Sequence, residues 1–154
     1  MKYRNLIVAI ACIVFVGCTS IPPINGIKND ESEITIQQRN FLIGTWETDS
    51  TVIGGGLQTS TISQKADGTF VIDFLSTNVN GAPTKQTETG RWGVSGGIYF
   101  TITTGFMHDG EFSAADQEDP IFYDAYKIDK LDKTTFKYTH ISTTDRFFSK
   151  KKAQ

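Results

Sequence analysis

The sequence predicts an all-β domain, an antiparallel meander of eight strands able to close into an up-and-down barrel. Three observations carry the prediction. Apolar residues recur at every second position over short runs, the signature of strands with one buried face. Turn signals such as Gly54-Gly55-Gly56, Asp67-Gly68 and Gly96-Gly97 punctuate those runs at short intervals. The composition sets 14 Gly against 4 Pro and 2 Cys, which suits a turn-rich sheet protein better than a disulfide scaffold. Helical periodicity of any length is missing. Eight strands can close with no free edge, and 38% apolar residues with 11 Phe, 5 Tyr and 2 Trp can fill a core.

The amino end reads as a targeting segment, residues 1–17. Lys2 and Arg4 form a positive start, and Leu6 to Gly17 is a charge-free run of 12 residues, too short to span a bilayer comfortably. It closes on Phe15-Val16-Gly17-Cys18, which resembles the lipobox of bacterial lipoproteins, with Phe15 where Leu is usual. The resemblance implies cleavage before Cys18 and acylation of that cysteine. The rival Ala9-Ile10-Ala11-Cys12 leaves a hydrophobic core of only about five residues, below the ~7 expected of such a signal. A diacylglyceryl group with a further N-acyl chain would anchor the protein stably, where a single chain is marginal. Thr19 is not the aspartate that resembles an inner-membrane retention signal. The implied address is therefore the cell envelope: the outer membrane, facing the periplasm or cell surface.

Residues 18–34 then read as lipid anchor and tether, with Pro22-Pro23, Asn25-Gly26 and a charged end. The barrel domain spans residues 35–154. Thr35 and Gln38 have capping-box spacing, which predicts a short helix over about Thr35 to Asn40. The strands follow: Leu42 to Ile53, Leu57 to Lys65, Thr69 to Thr77, Lys85 to Val94, Ile98 to Thr104, Ile121 to Asp129, Thr135 to Ile141, and Arg146 to Lys151. Asn78 to Pro83 is a loop, and Gly105 to Pro120 is a long acidic one. Gly44-Thr45-Trp46-Glu47 is echoed by Gly90-Arg91-Trp92-Gly93, too few copies for a repeat architecture.

Gly44-Thr45-Trp46 at the head of the first strand resembles the opening signature of lipocalin-like (calycin) barrels. Ala66-Asp67-Gly68-Thr69-Phe70, Gly90-Arg91-Trp92-Gly93-Val94 and Tyr126-Lys127-Ile128 are similar to the middle of small bacterial members. The resemblance covers about 110 residues, Phe41 to Lys151. It implies that Gly44 allows a close backbone approach, that Trp46 plugs one end, and that a late cation covers the indole. Arg146 is the arginine available for that role. Lys150 and Lys151 are the alternatives.

Composition and motifs exclude several classes. A net charge of -2 and pI near 5.6 leave no whole-chain footprint for nucleic acid. The only histidines are His108 and His140, and an acylated Cys18 leaves no thiol, so no catalytic residue is assigned and no enzyme is expected. His108, Asp109, Glu111, Asp116, Glu118 and Asp119 lack calcium-loop order and read as a solvated loop; no metal or other cofactor is expected. The interior candidates are Phe70, Ile72, Phe74, Phe100, Tyr126, Tyr138 and His140, which either fill the barrel or line a ligand cavity. The resemblance implies a small apolar or amphipathic ligand. The alternative is a filled barrel serving as an interaction or inhibitor module for an envelope protein. By parity of connections, the 105–120 loop falls at the open mouth, away from Trp46. Phe106, Met107 and Phe112 are there candidates for a lid.

Overall fold

The computed structural model describes residues 29–51, 57–77, 81, 83–108 and 110–153. The targeting segment, Cys18, most of the tether, Gly54 to Gly56, Asn78 to Asn80 and Asp109 lie outside the described residues. A helix, α1 (Asn29–Leu42), precedes nine strands: β1 (Gly44–Thr51), β2 (Leu57–Gln64), β3 (Thr69–Thr77), β4 (Pro83–Ser95), β5 (Ile98–His108), β6 (Glu111–Ala114), β7 (Tyr123–Leu131), β8 (Thr135–His140) and β9 (Arg146–Lys151). All neighbours pair antiparallel. The sequence β1-β2-β3-β4-β5-β7-β8-β9 returns to β1 and closes an eight-stranded barrel.

Two expectations change. The helix starts well before Thr35, so that residue lies mid-helix and cannot cap it. Glu31 and Glu33 near its beginning suit the positive end of the helix dipole, and no proline or glycine between Asn29 and Leu42 breaks it. The helix also claims Leu42, expected in the first strand. The second change is the acidic loop. β5 runs on to His108, and β6 folds back on it as a hairpin, pairing Gly105 with Ala114 and His108 with Glu111. β6 thus covers the mouth-side half of β5, whose other half pairs with β7. Asp116 and Asp119 close the turns that follow, accepting from the backbone N–H of Glu118 and Ile121.

The closed end is built around two tryptophans. Trp46 is fully buried and Trp92 nearly so, in one cluster with Leu42, Phe70, Tyr99 and Phe136. The last carbonyls of a helix lack partners within it. Here Trp46 Nε1 donates to Leu42 O at 2.8 Å, and Lys151 Nζ donates to Phe41 O at 2.8 Å. The Lys151 ammonium also stands 5.1 Å from the Trp46 ring centroid. Lys151 therefore takes the place the resemblance gave to Arg146. Arg146 opens β9 at the far end, opposite Thr139 on the outer face, and is exposed. Gly44 has φ +125°, and a Cβ there would meet Lys151 Cε at 2.8 Å, so this lysine needs a glycine beneath it.

The sequence echo is structural. Trp92 Nε1 donates to Lys65 O at 3.1 Å, and the Arg39 guanidinium lies 4.7 Å from its ring centroid. Each tryptophan thus has a carbonyl for its N–H and a cation on its face. Arg39 also donates to Ala66 O at 2.8 Å, tying the helix to the β2–β3 turn.

Candidate functional site

Strand alternation decides which side chains face the barrel interior. From the closed end, Trp46 and Thr48 point inward from β1, Ser60 and Ile62 from β2, and Phe70, Ile72 and Phe74 from β3. Glu88 does so from β4, Tyr99, Thr101 and Thr103 from β5, Asp124 and Tyr126 from β7, Phe136 and Tyr138 from β8, and Ser149 from β9. All but Trp46 line a cavity of about 90 Å³. That volume exceeds the roughly 10–15 Å³ that one water needs. It falls well below the roughly 300–1,000 Å³ of drug-sized pockets. The interior is neither empty nor wholly filled.

Its walls differ in character. Phe70, Ile72 and Phe74 make an apolar side. Opposite them, Tyr99 stacks on Tyr126 at 5.7 Å, and Tyr138 stacks on Phe136 at 4.2 Å and on Phe147 at 5.1 Å. Burial pushes all three tyrosine hydroxyls upward in pKa, so they remain protonated donors. Tyr99 OH accepts from Gln64 Nε2 at 2.7 Å. Tyr138 bonds to Ser149 and Thr48, whose hydroxyls also bond to each other.

Two carboxylates stand toward the mouth. Glu88 accepts from Gln86 Nε2 at 2.7 Å and from Thr103 Oγ1 at 3.3 Å. Burial raises its pKa despite those bonds, and the Asp124 charge adds to the rise. Asp124 lies 3.2 Å from His140 Nε2. His140 Nδ1 accepts the backbone N–H of Thr143 at 3.0 Å, so the network assigns the ring proton to Nε2, where it is donated to Asp124.

Among the residues expected inside, Phe70, Ile72, Phe74, Tyr126 and Tyr138 come together in the cavity wall. His140 sits above it on the same face as Tyr138, against the Tyr126 ring at 5.0 Å. Phe100 does not join them. It pairs with Gly93 on the outer face and is 38% exposed, its ring covering the glycine where a Cβ would come within 2.4 Å. The opposite face of β5, with Tyr99 and two threonines, supplies the interior. The three lid candidates also separate. Phe106 pairs with Glu88 and so faces inward, where its ring meets Phe122 edge-on at 5.7 Å. Met107 pairs with Thr87 on the outer face. Phe112 is 59% exposed there, lying over Gly105.

Glu88, Asp124, Thr48, Thr101, Thr103 and Ser149 escaped the sequence reading. One signal was available for the β5 set. The Gly96-Gly97 turn pairs Ser95 with Ile98, which places Thr101 opposite Trp92 and therefore inside.

No protein-family model matches the chain, and no curated protein does. Among solved structures, it is similar to a lipocalin-like protein from Bacteroides uniformis ATCC 8492, at 14% sequence identity and a TM-score of 0.44. The match covers 73% of this chain and 99% of that one. The closed eight-stranded antiparallel barrel, with one helix at its amino side, is lipocalin-like in its own geometry.

Proposed function

We propose that this chain is a lipid-anchored envelope lipoprotein whose barrel holds one small amphipathic molecule and performs no catalysis. The observation that carries the binding reading is the cavity itself, walled by Phe70, Ile72 and Phe74 on one side and by hydrogen-bonding groups on the other. An apolar wall gives affinity, and a few fixed polar groups give orientation. The anchoring part rests on the Phe15-Val16-Gly17-Cys18 segment. The non-catalytic part rests on the sequence, which offers only two histidines and, with Cys18 acylated, no free thiol.

Native mass spectrometry of the protein purified from membranes tests the binding reading. The expected result is a small adduct that survives gentle ionisation and is lost when Ile72→Trp fills the cavity. An adduct-free protein that also ignores a small-molecule library in melting assays would refute it. For the anchor, Cys18→Ser should leave the precursor uncut and unlabelled by fatty acid. Normal processing of that variant would end the lipoprotein reading.

One observation favours a second reading, a docking module. Phe112, Ile121 and Tyr123 are 59%, 72% and 47% exposed on the hairpin and the turn after it. Apolar side chains gathered beside one end of a domain suit a protein partner. Cross-linking from those positions in cells, with an empty cavity, would favour it.

A further inference from the structure

The charges inside the barrel are unbalanced. Among the described residues, the cavity wall carries two carboxylates, Glu88 and Asp124, and no lysine or arginine. The inward cation of β9, Lys151, is committed at the closed end to Phe41 O and the Trp46 ring. His140 Nε2 stands 3.2 Å from Asp124, and its Nδ1 accepts the Thr143 N–H. Glu88 accepts from neutral donors, Gln86 and Thr103. Glu88 and Asp124 are each half-buried, with the Asp124 side chain 37% exposed and hydrogen-bonded to His140. Even partial removal of a carboxylate from water is costly, the more so beside a second one. Aromatic side chains line the same space: Phe70, Phe74, Tyr99, Tyr126 and Tyr138. Rings present negative potential on their faces and attract cations, most strongly where water is excluded.

We propose that the cavity takes a small organic cation, an ammonium group on a short apolar body. The charged end sits between Glu88 and Asp124, and the body lies against Phe70, Ile72 and Phe74. This inference rests on the reading of the barrel as a binding site and names the class of ligand. The ligand supplies the charge that the wall omits. Phe106, directly across the ladder from Glu88 and edge-on to Phe122, adds apolar surface beside the ion pair. The volume limits the guest to a short amine. A metal ion is a poorer fit, because two carboxylates without a free imidazole are fewer oxygen donors than calcium takes.

The test uses the full chain and matched probes. Ethylammonium and n-propylammonium chlorides are titrated beside their neutral counterparts, ethanol and n-propanol, by calorimetry at neutral pH. The ammonium probes should bind at least about tenfold more tightly than the alcohols, as expected for a charge-assisted contact over a neutral one. Glu88→Gln and Asp124→Asn should each remove most of that preference, read as the ratio of ammonium to alcohol affinity within each variant. The wild-type comparison needs no variant, so it stands even if one variant misfolds. Equal binding of ammonium and alcohol would overturn the cation proposal while leaving the cavity as a binding site. Ammonium binding that ignores both substitutions would place the guest elsewhere and also overturn it, as would calcium chloride competing at equal concentration. Failure of every probe to bind would remove both readings.

Discussion

Replacing Trp46 with alanine tests the closed end most directly. The indole is fully buried, edge-on to Phe136 at 5.9 Å, with its N–H on Leu42 O and an ammonium over its face. Truncating a buried aromatic to alanine costs about 3–5 kcal/mol, cavity included. Losing the helix-terminal hydrogen bond adds about 1 kcal/mol, and losing the cation contact adds about 0.5–1 kcal/mol. Because these contributions overlap, the expected total is about 4–6 kcal/mol. A domain of this size has about 5–15 kcal/mol in hand, so most of its stability should go, with a melting drop on the order of 15–20 °C. Urea unfolding followed by near-ultraviolet circular dichroism reads the loss. Trp46→Phe separates the two contributions, since it keeps most of the volume and loses only the N–H, and should cost about 1–2 kcal/mol. A Trp46→Ala loss below about 1 kcal/mol would mean that the ring does not hold the end of the barrel. The roles of Lys151 and the helix terminus in closing that end would fall with it.

Lys151→Met should cost about 1–2 kcal/mol through its two contacts, whereas Arg146→Met should stay within about 0.5 kcal/mol; equal losses in urea would contradict the assignment. Gly90→Ala would set a Cβ 2.1 Å from Ile102 O and 2.6 Å from a Phe70 ring carbon, and backbone cannot yield cheaply. The expected cost is about 1–3 kcal/mol or more, and an unchanged melting temperature would show that β4 and β5 are not so close. Glu88 gives a pH signature. Its folded pKa is raised by burial, so its contribution is present below the ordinary carboxylate pKa and is lost as pH rises through the folded value. Glu88→Gln should therefore be more stable than the parent near neutral pH, the gap closing in acid. A gap that does not change with pH would show that Glu88 is not desolvated.

The eight barrel strands were legible in the sequence, β6 was not, and strand facing was not always so. The bounds of β3 and β9 agree with expectation because Asp67-Gly68 and the Ser142 to Asp145 turn mark where pairing begins. The burial of Trp46 was expected only through the resemblance of Gly44-Thr45-Trp46 to a barrel-opening signature. The inward face of β5 was misread because hydrophobicity favours Ile98, Phe100 and Ile102, while the interior uses hydroxyls from Tyr99, Thr101 and Thr103. Here the aromatic is needed outside, over Gly93. Glu88 and Asp124 were invisible for a related reason: a lone acid in a threonine-rich strand, as Glu88 is, or an acid among lysines and a second aspartate, as Asp124 is, reads as solvent-facing until its strand is placed in the barrel.

The mouth shows how one residue redistributes a site. Counting alternately from the inward Tyr99 along β5 would put Phe106 outside and Met107 inside. The ladder is irregular, however: Gly90 pairs with Thr103 and Thr89 with Gly105, so Thr104 is an extra residue on β5. A bulge of this kind shifts every later side chain to the opposite face. It sends Phe106 inward beside Glu88 and sends Met107 out. The same hairpin that carries Phe112 over Gly105 then fastens the strand to the outer wall instead of folding across the opening. The inward aromatic at this end is thus Phe106, set beside Glu88 by the barrel's own strand and held edge-on to Phe122 in the turn before β7.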